Sequence, residues 1–217
     1  DEAKKAAKEF ADYVHGLMLE RLKNPTADLI SELAQVSESG EKLSTQELIA
    51  TCILLLNAGH EASVNGFGNG IVAAFKHPDQ WKLLQTQPDA IADTAVEEFL
   101  RFDAPLHFFD RTATADTEIG GVAIKQGQKI VSLLGSANRD EDVFANADQM
   151  DLTRDPNPHI GFGAGIHLCI GAPLARLEMS VSLPALWDKY PHMQLAGDAI
   201  RRPTFVLRGY ESVAISA

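Results

Sequence analysis

"GFGAGIHLCIGAPLARLE", residues 161–178, decides how this chain is read. It holds Cys169, one of two cysteines in 217 residues, among Gly161, Gly163, Gly165 and Gly171. Glycines this dense permit backbone conformations and close approaches that a Cβ forbids. The stretch therefore predicts a large flat ligand, or another backbone, lying against the loop. A helix is expected from about Ala172, so Cys169 falls at or just before its first turn. Unpaired N–H groups and the positive end of the helix dipole there suit a thiolate, as a nucleophile or as a metal ligand.

Several chemistries compete for such a thiol. A nucleophile needs a base, and His167 is the nearest candidate, but no third group in the sequence orients it. Zinc asks for more ligands, and no C-x-x-C or H-x-x-x-H lies nearby. A dinucleotide loop fails because "GFGAGI" has Ile166 where G-x-G-x-x-G needs its last glycine. Haem iron asks the protein for a single axial thiolate. A cysteine simply packed beside a tight turn is the plain structural alternative.

The rest of the chain limits the setting. Nineteen basic against thirty acidic residues give a formal net charge of −11, which argues against nucleic acid as a partner because phosphate binding wants a basic surface. Cys52 lies in an apolar stretch and Cys169 in a glycine loop. Two such cysteines make no disulfide framework and fit a reducing, cytoplasmic compartment. The longest apolar run, "LIATCILLL" at 48–56, is too short to cross a bilayer, so no membrane partner is evident.

Apolar spacing predicts a helix over 2–23, ended by "NP" at 24–25, then a short helix over 27–36 and a loop over 37–42. "STQE" at 44–47 is a helix start: Ser44 or Thr45 can cap, and Glu47 can reach back. The helix it opens runs to about Lys76, roughly 32 residues or about 48 Å. Pro78 and Pro88 open two more helices, the second ending near Phe102. Beyond Pro105, alternating or β-branched residues between glycines predict short strands within 107–121 and 128–135. Residues 140–160 are expected to be irregular, the helix from Ala172 to Tyr190 interrupted or bent at Pro184, and the tail at 203–216 a terminal hairpin.

Two constellations stand out. Glu98 and Arg101 in "VEEFLRF" are three apart, so they share a helix face; a solvated surface pair is the ordinary reading, and the apolar Val96, Phe99 and Leu100 around them also admit a buried one. The long helix carries "NAGHEAS" at 57–63 directly after three leucines. A mid-helix glycine costs about 1 kcal/mol, and buried polar groups cost more without partners, so a functional interruption is expected here. The small residues would let a flat ligand approach. The alternative is a bend where another helix crosses, aided by Gly66, Gly68 and Gly70.

Phe162, Gly163, Gly165, His167, Cys169 and Gly171 match F-x-x-G-x-H-x-C-x-G, and in this the chain resembles the cytochrome P-450 family of haem-thiolate monooxygenases. The resemblance implies a mainly α fold with small β-sheets, covering the C-terminal portion from the long central helix to the cysteine-ligand loop. Residues 1–217 would then be a single partial domain lacking its N-terminal part. It implies haem b (iron protoporphyrin IX), with Cys169 as its metal ligand and Phe162, Gly163, His167 and Gly171 around it. Arg111 and His167 match positions that hold the propionates.

In the family, Glu98 and Arg101 would be the internal ion pair, structural rather than catalytic, with a basic third partner from a "DRF"-like segment. Here that segment reads "DQM", with Gln149 in the basic position. "NAGHEAS" is similar to the distal motif A-G-x-E/D-T-T/S. Ala58, Gly59 and Ala62 would lie on the cofactor side, while Glu61 and Ser63 supply the acid and alcohol that feed protons to oxygen. Ala62 replaces the usual first alcohol.

The implied function is activation of O2 at a Cys-ligated haem, with hydroxylation or epoxidation of a hydrophobic small molecule. Electrons would come from a ferredoxin or similar donor with its reductase. The segments at 105–109 and 207–210 match family positions that contact substrate. A truncated haem-binding or interaction fragment without turnover, and a peroxide-dependent haem-thiolate enzyme, are the alternatives.

Overall fold

The computed structural model describes residues 2–38 and 43–216. The chain forms two compact units, residues 1–61 and 62–217, and each is taken by itself. The mainly helical architecture with small sheets agrees with the expected fold class.

In the first unit, α1 (Glu2–Lys23) packs on α2 (Leu29–Glu38), and α3 (Thr45–Phe75) begins. α2 starts two residues later than the apolar pattern predicts. The reason is Asp28, whose carboxylate accepts the Ser31 N–H at 2.8 Å and so caps the helix. Hydrogen bonds from Thr26 and Arg21 to the same carboxylate hold it well below the usual range. α2 also reaches Glu38, into the segment expected as loop; residues 39–42 lie outside the described residues. The start of α3 is the predicted capping box: the Ser44 N–H donates to the Glu47 carboxylate at 2.8 Å, and the Glu47 N–H to Ser44 Oγ at 3.3 Å. Met18, Ala34 and Leu48 form the small core, with Cys52 packed against it; burial pushes the Cys52 thiol up.

The second unit takes the remainder of α3, then α4 (Pro78–Thr86), α5 (Pro88–Phe102) and, later, α7 (Ala172–Lys189). Both α4 and α5 open with proline at the first turn, where a missing N–H costs nothing. α5 buries Ile91, Ala92, Ala95, Val96, Phe99 and Leu100, a broad stripe that meets α7 through Met179, Leu183 and Trp187. Each buried Ile, Val, Leu, Phe or Met of this stripe contributes about 1.5–3 kcal/mol. α3 runs without a break through "NAGHEAS". Packing accounts for Gly70, where a Cβ would sit 2.0 Å from the Phe99 ring, while one on Gly66 would meet Leu100 at an ordinary 3.4 Å. At Gly70 only bare backbone admits α5 so closely.

α7 runs through Pro184 rather than being interrupted, because Leu183 and Trp187, buried on either side of it, keep both halves on the core. Between α5 and α7 come β1 (Phe108–Thr112), β2 (Thr117–Ile119), β3 (Val122–Ile124), β4 (Lys129–Leu133) and the short α6 (Leu134–Ala137). β1 pairs antiparallel with β4, placing Arg111 opposite Ile130, and β2 pairs with β3.

The tail does not fold on itself. β7 (Tyr210–Ser212) pairs with β6 (Ile200–Arg201), and β8 (Ile215–Ser216) with β5 (Gln194–Leu195). An internal network fixes this choice. Asp103, at the end of α5, is paired with both Arg201 and Arg208, while the Asn69 amide donates to the Asp103 and Arg208 carbonyls at 3.1 and 3.0 Å. Both ends of the segment 201–208 are thereby tied to α3 and α5.

Candidate functional site

The cysteine loop is built from backbone constraints. Gly163 and Gly165 have φ of 75° and 68°, values that side-chain-bearing residues rarely adopt. They let residues 165–167 form one 3-10 turn and bring the Cys169 N–H to the Phe162 carbonyl at 3.0 Å. That bond closes residues 162–169 into a loop. The Cys169 carbonyl then accepts the Ala172 N–H at 3.2 Å, and Gly171 caps α7. Cys169 thus lies three positions before the first residue of the helix, as expected, and its side chain is exposed.

The surroundings of the thiol are apolar and uncovered. Ile166, Leu168 and Ile170 are 96%, 58% and 88% exposed, and Leu174, Leu177 and Val181 continue an exposed stripe along α7. Contiguous exposed aliphatic surface of this kind marks a binding face. A Cβ on Gly171 would lie 3.9 Å from the Cys169 sulfur. A soft sulfur donor on an apolar shelf, with backbone kept small beside it, fits a flat apolar macrocycle holding a thiolate-ligated iron.

The other expected site residues are distributed as follows. Phe162 is half-buried against the core, with the Arg176 guanidinium 4.6 Å from its ring centroid. His167 is exposed at the end of the 3-10 turn. Arg111 is exposed on β1, where its Nη1 donates to the Asp110 carbonyl at 2.8 Å. Phe162, Gly163, His167, Cys169 and Gly171 share one loop, whereas Arg111 belongs to a separate sheet. In the first unit, Ala58, Gly59 and Glu61 are exposed on α3; in the second, Ala62 and Ser63 continue the same helix, half-buried.

The two segments expected to contact substrate come together. Leu106 bridges to Leu207, the Arg208 N–H donates to the Pro105 carbonyl at 2.7 Å, and the Phe108 and Phe205 rings lie 5.5 Å apart. Burial, with the nearby Arg208, lowers the His107 imidazole below its ordinary value.

The Glu98–Arg101 ion pair on α5 is fully buried. Arg101 Nε and Nη2 donate to the two Glu98 oxygens at 2.7 Å each; Nη1 donates to the Asn138 and Ala147 carbonyls at 2.8 Å, and Nη2 also to the Gln149 carbonyl at 3.1 Å. All five guanidinium hydrogens are used. Gln149 therefore contributes through its main chain. The basic third partner is Arg154, whose Nε donates to Glu98 Oε2 at 3.2 Å, joined by Asn157 Nδ2 at 3.0 Å. Sequence reasoning missed Arg154, although it is the lone cation between Arg139 and His159 in a stretch rich in aspartates.

The chain matches the family model described as Cytochrome P450 over residues 1–201. It is 42% identical to the biotin biosynthesis cytochrome P450 of Bacillus subtilis (strain 168), with 94% of this chain and 51% of that protein covered. To the 6-deoxyerythronolide B hydroxylase of Saccharopolyspora erythraea it is 40% identical, covering 97% and 53%. A crystal structure of P450BioI, in complex with hexadec-9Z-enoic acid ligated acyl carrier protein, superposes with a TM-score of 0.93 at 40% identity. It covers all of this chain and 55% of that one. The chain spans about half the length of the curated relatives it matches. Loop geometry, the buried Glu98–Arg101 pair and these matches agree, and the chain belongs to the cytochrome P450 family.

Proposed function

We propose that this chain is part of a haem-thiolate monooxygenase domain that hydroxylates or epoxidises a hydrophobic small molecule with O2, holding haem b through Cys169. The observation that carries this reading is the exposed Cys169 on its apolar shelf, its N–H fixed by the Phe162 carbonyl. When bound, the haem supplies the redox chemistry of oxygen activation, aided by electron donation from the sulfur. Cys169 would hold the iron through its thiolate, with Gly171 keeping the backbone small beside the sulfur.

His167 and Arg111 are the charge-assisted donors for the propionates. Ala58, Gly59 and Ala62 offer a surface without bulk. Glu61 and Ser63 hold and pass protons, a task that falls to Ser63, ordered water or a substrate hydroxyl because Ala62 lacks an alcohol. The apolar residues at 105–109 and 205–207 support a hydrophobic substrate. Electrons come from a ferredoxin-type donor and its reductase. Among the described residues no helix is long and apolar enough to cross a membrane, and a cytoplasmic setting is part of the proposal.

The test is spectroscopic. The chain is reconstituted with haem, reduced and exposed to carbon monoxide. A strongly red-shifted Soret band in the parent that disappears in Cys169→Ala supports the assignment. No haem uptake, or a band unchanged in Cys169→Ala, overturns it. Because Ala62 stands where an alcohol is usual, reductant-driven and peroxide-driven turnover are compared in the same preparation.

A further inference from the structure

His159 lies ten residues before the thiol, in the stretch expected to be irregular, and its side chain is 1% exposed. Both ring nitrogens are engaged. Nδ1 accepts the Gly161 N–H at 3.0 Å, which requires it to be unprotonated, so the ring proton sits on Nε2, 2.9 Å from Glu97 Oε2. Glu97 is in turn gripped by Arg176, whose Nε and Nη2 lie 2.6 and 2.9 Å from its two oxygens. Burial would raise the Glu97 carboxyl, but His159 and Arg176 override it and hold the group at about 2. The acceptor for the imidazole N–H is therefore ionised at neutral pH.

These groups bracket the cysteine loop from three elements. Gly161 begins it, Glu97 rises from α5, and Arg176 comes from the first turns of α7 while stacking on Phe162, whose carbonyl holds the Cys169 N–H. Gly161 has no slack: a Cβ there would lie 3.1 Å from both His159 Nδ1 and the Leu100 carbonyl. The lead-in is also tied at Ile160, whose N–H donates to Asn138 Oδ1 at 2.9 Å.

We propose that His159 is a positioning residue for the Cys169 loop, acting through the Gly161 amide, and that the Arg176-clamped Glu97 carboxylate fixes the imidazole in the form that can accept it. The inference rests on the assignment of Cys169 as the functional thiol but concerns the loop, not the iron. Its operative contact is the Nδ1 acceptor; the Glu97 contact selects the tautomer.

Asparagine and glutamine at position 159 separate the two contacts, because Asn places an acceptor near Nδ1 and Gln places a donor near Nε2. Amide hydrogen exchange is measured on the haem-free chain, peptide by peptide. His159→Ala is expected to speed exchange across 160–170 about tenfold, the loss of roughly one buried hydrogen bond, with little change in peptides of α5 and α7. Asn restores protection and Gln does not. Equal behaviour of Asn and Gln, or unchanged exchange in both, overturns the proposal. If the Ala variant fails to fold, the Asn and Gln pair still decides. Haem-reconstituted His159→Gln is expected to show a smaller red-shifted carbon monoxide fraction than His159→Asn. Failure of that spectrum in every form, parent included, counts against the haem assignment and leaves the exchange result standing.

Discussion

Arg154 and Glu98 stand 56 residues apart in the chain and meet at 3.2 Å, Nε to Oε2, closing the coil of residues 140–160 onto α5. Glu98 also accepts the Asp151 N–H at 2.8 Å, so one buried carboxylate gathers Arg101, Asp151, Arg154 and Asn157. This sets a hierarchy of substitutions. Arg101→Ala strips the buried Glu98 of its bidentate partner and leaves three main-chain oxygens without their donor, and is expected to cost about 3–5 kcal/mol. Arg154→Ala leaves Glu98 its partner Arg101 and is expected to cost about 1–2 kcal/mol. Gln149→Ala, removing an exposed side chain whose carbonyl does the bonding, should stay within about 0.5 kcal/mol. Urea denaturation of the three variants checks the order; a Gln149→Ala loss as large as that of Arg154→Ala would contradict it.

Two glycines on α3 make a paired prediction. Gly70→Ala drives a methyl group into the Phe99 ring and is expected to destabilise by about 1–3 kcal/mol or more. A Cβ at Gly68 meets nothing within 4 Å among the described residues, and Gly68→Ala should stabilise by up to about 1 kcal/mol through helix propensity. Thermal melts read both, and like signs for the two would show that packing against α5 does not govern this helix.

Glu97 gives the acid limb a specific contributor. Its carboxyl is held at about 2, below its ordinary 4.5, so its stabilising effect is complete above 4.5 and is lost as pH falls from 4.5 toward 2. Glu97→Gln is expected to lower stability at neutral pH and to flatten the dependence in that window. Denaturation midpoints at pH 7, 4.5 and 3 are compared; parallel curves for parent and variant would remove Glu97 from the account.

Ala62 bears on oxygen use. In the haem-loaded, reductant-driven enzyme of the proposed function, Ala62→Thr restores an alcohol beside Glu61 and is expected to raise the ratio of product formed to reductant consumed. An unchanged ratio with a genuine substrate counts against a role for that position in proton delivery.

The helices were legible because their signals are local. Pro78, Pro88, the Ser44–Glu47 box and the stripe from Ile91 to Leu100 each sit inside the element they define. Cys169 was legible for a similar reason, its glycines and its helix being contiguous with it. What escaped was long-range. Arg154, Asn157 and His159 lie in a coil without periodicity, so nothing near them names the partners on α5. The tail strands are two or three residues long, too short to carry a pairing preference, and Asp103 with its two arginines decides where they go. Pro184 does not end α7, whose Leu183 and Trp187 are buried on either side of it, a burial that local backbone cost alone does not register.

Three of the five bonds from Arg101 end on main-chain oxygens, those of Asn138, Ala147 and Gln149. A latch that grips carbonyls is blind to the letters at those positions and sensitive to their spacing. The exposed side chain at 149 can therefore change without loosening the latch, as Gln149 in "DQM" illustrates. A one-residue insertion or deletion between 138 and 149 would shift the oxygens out of register and strand the guanidinium, so the latch constrains the length of this coil beyond what its buried side chains require.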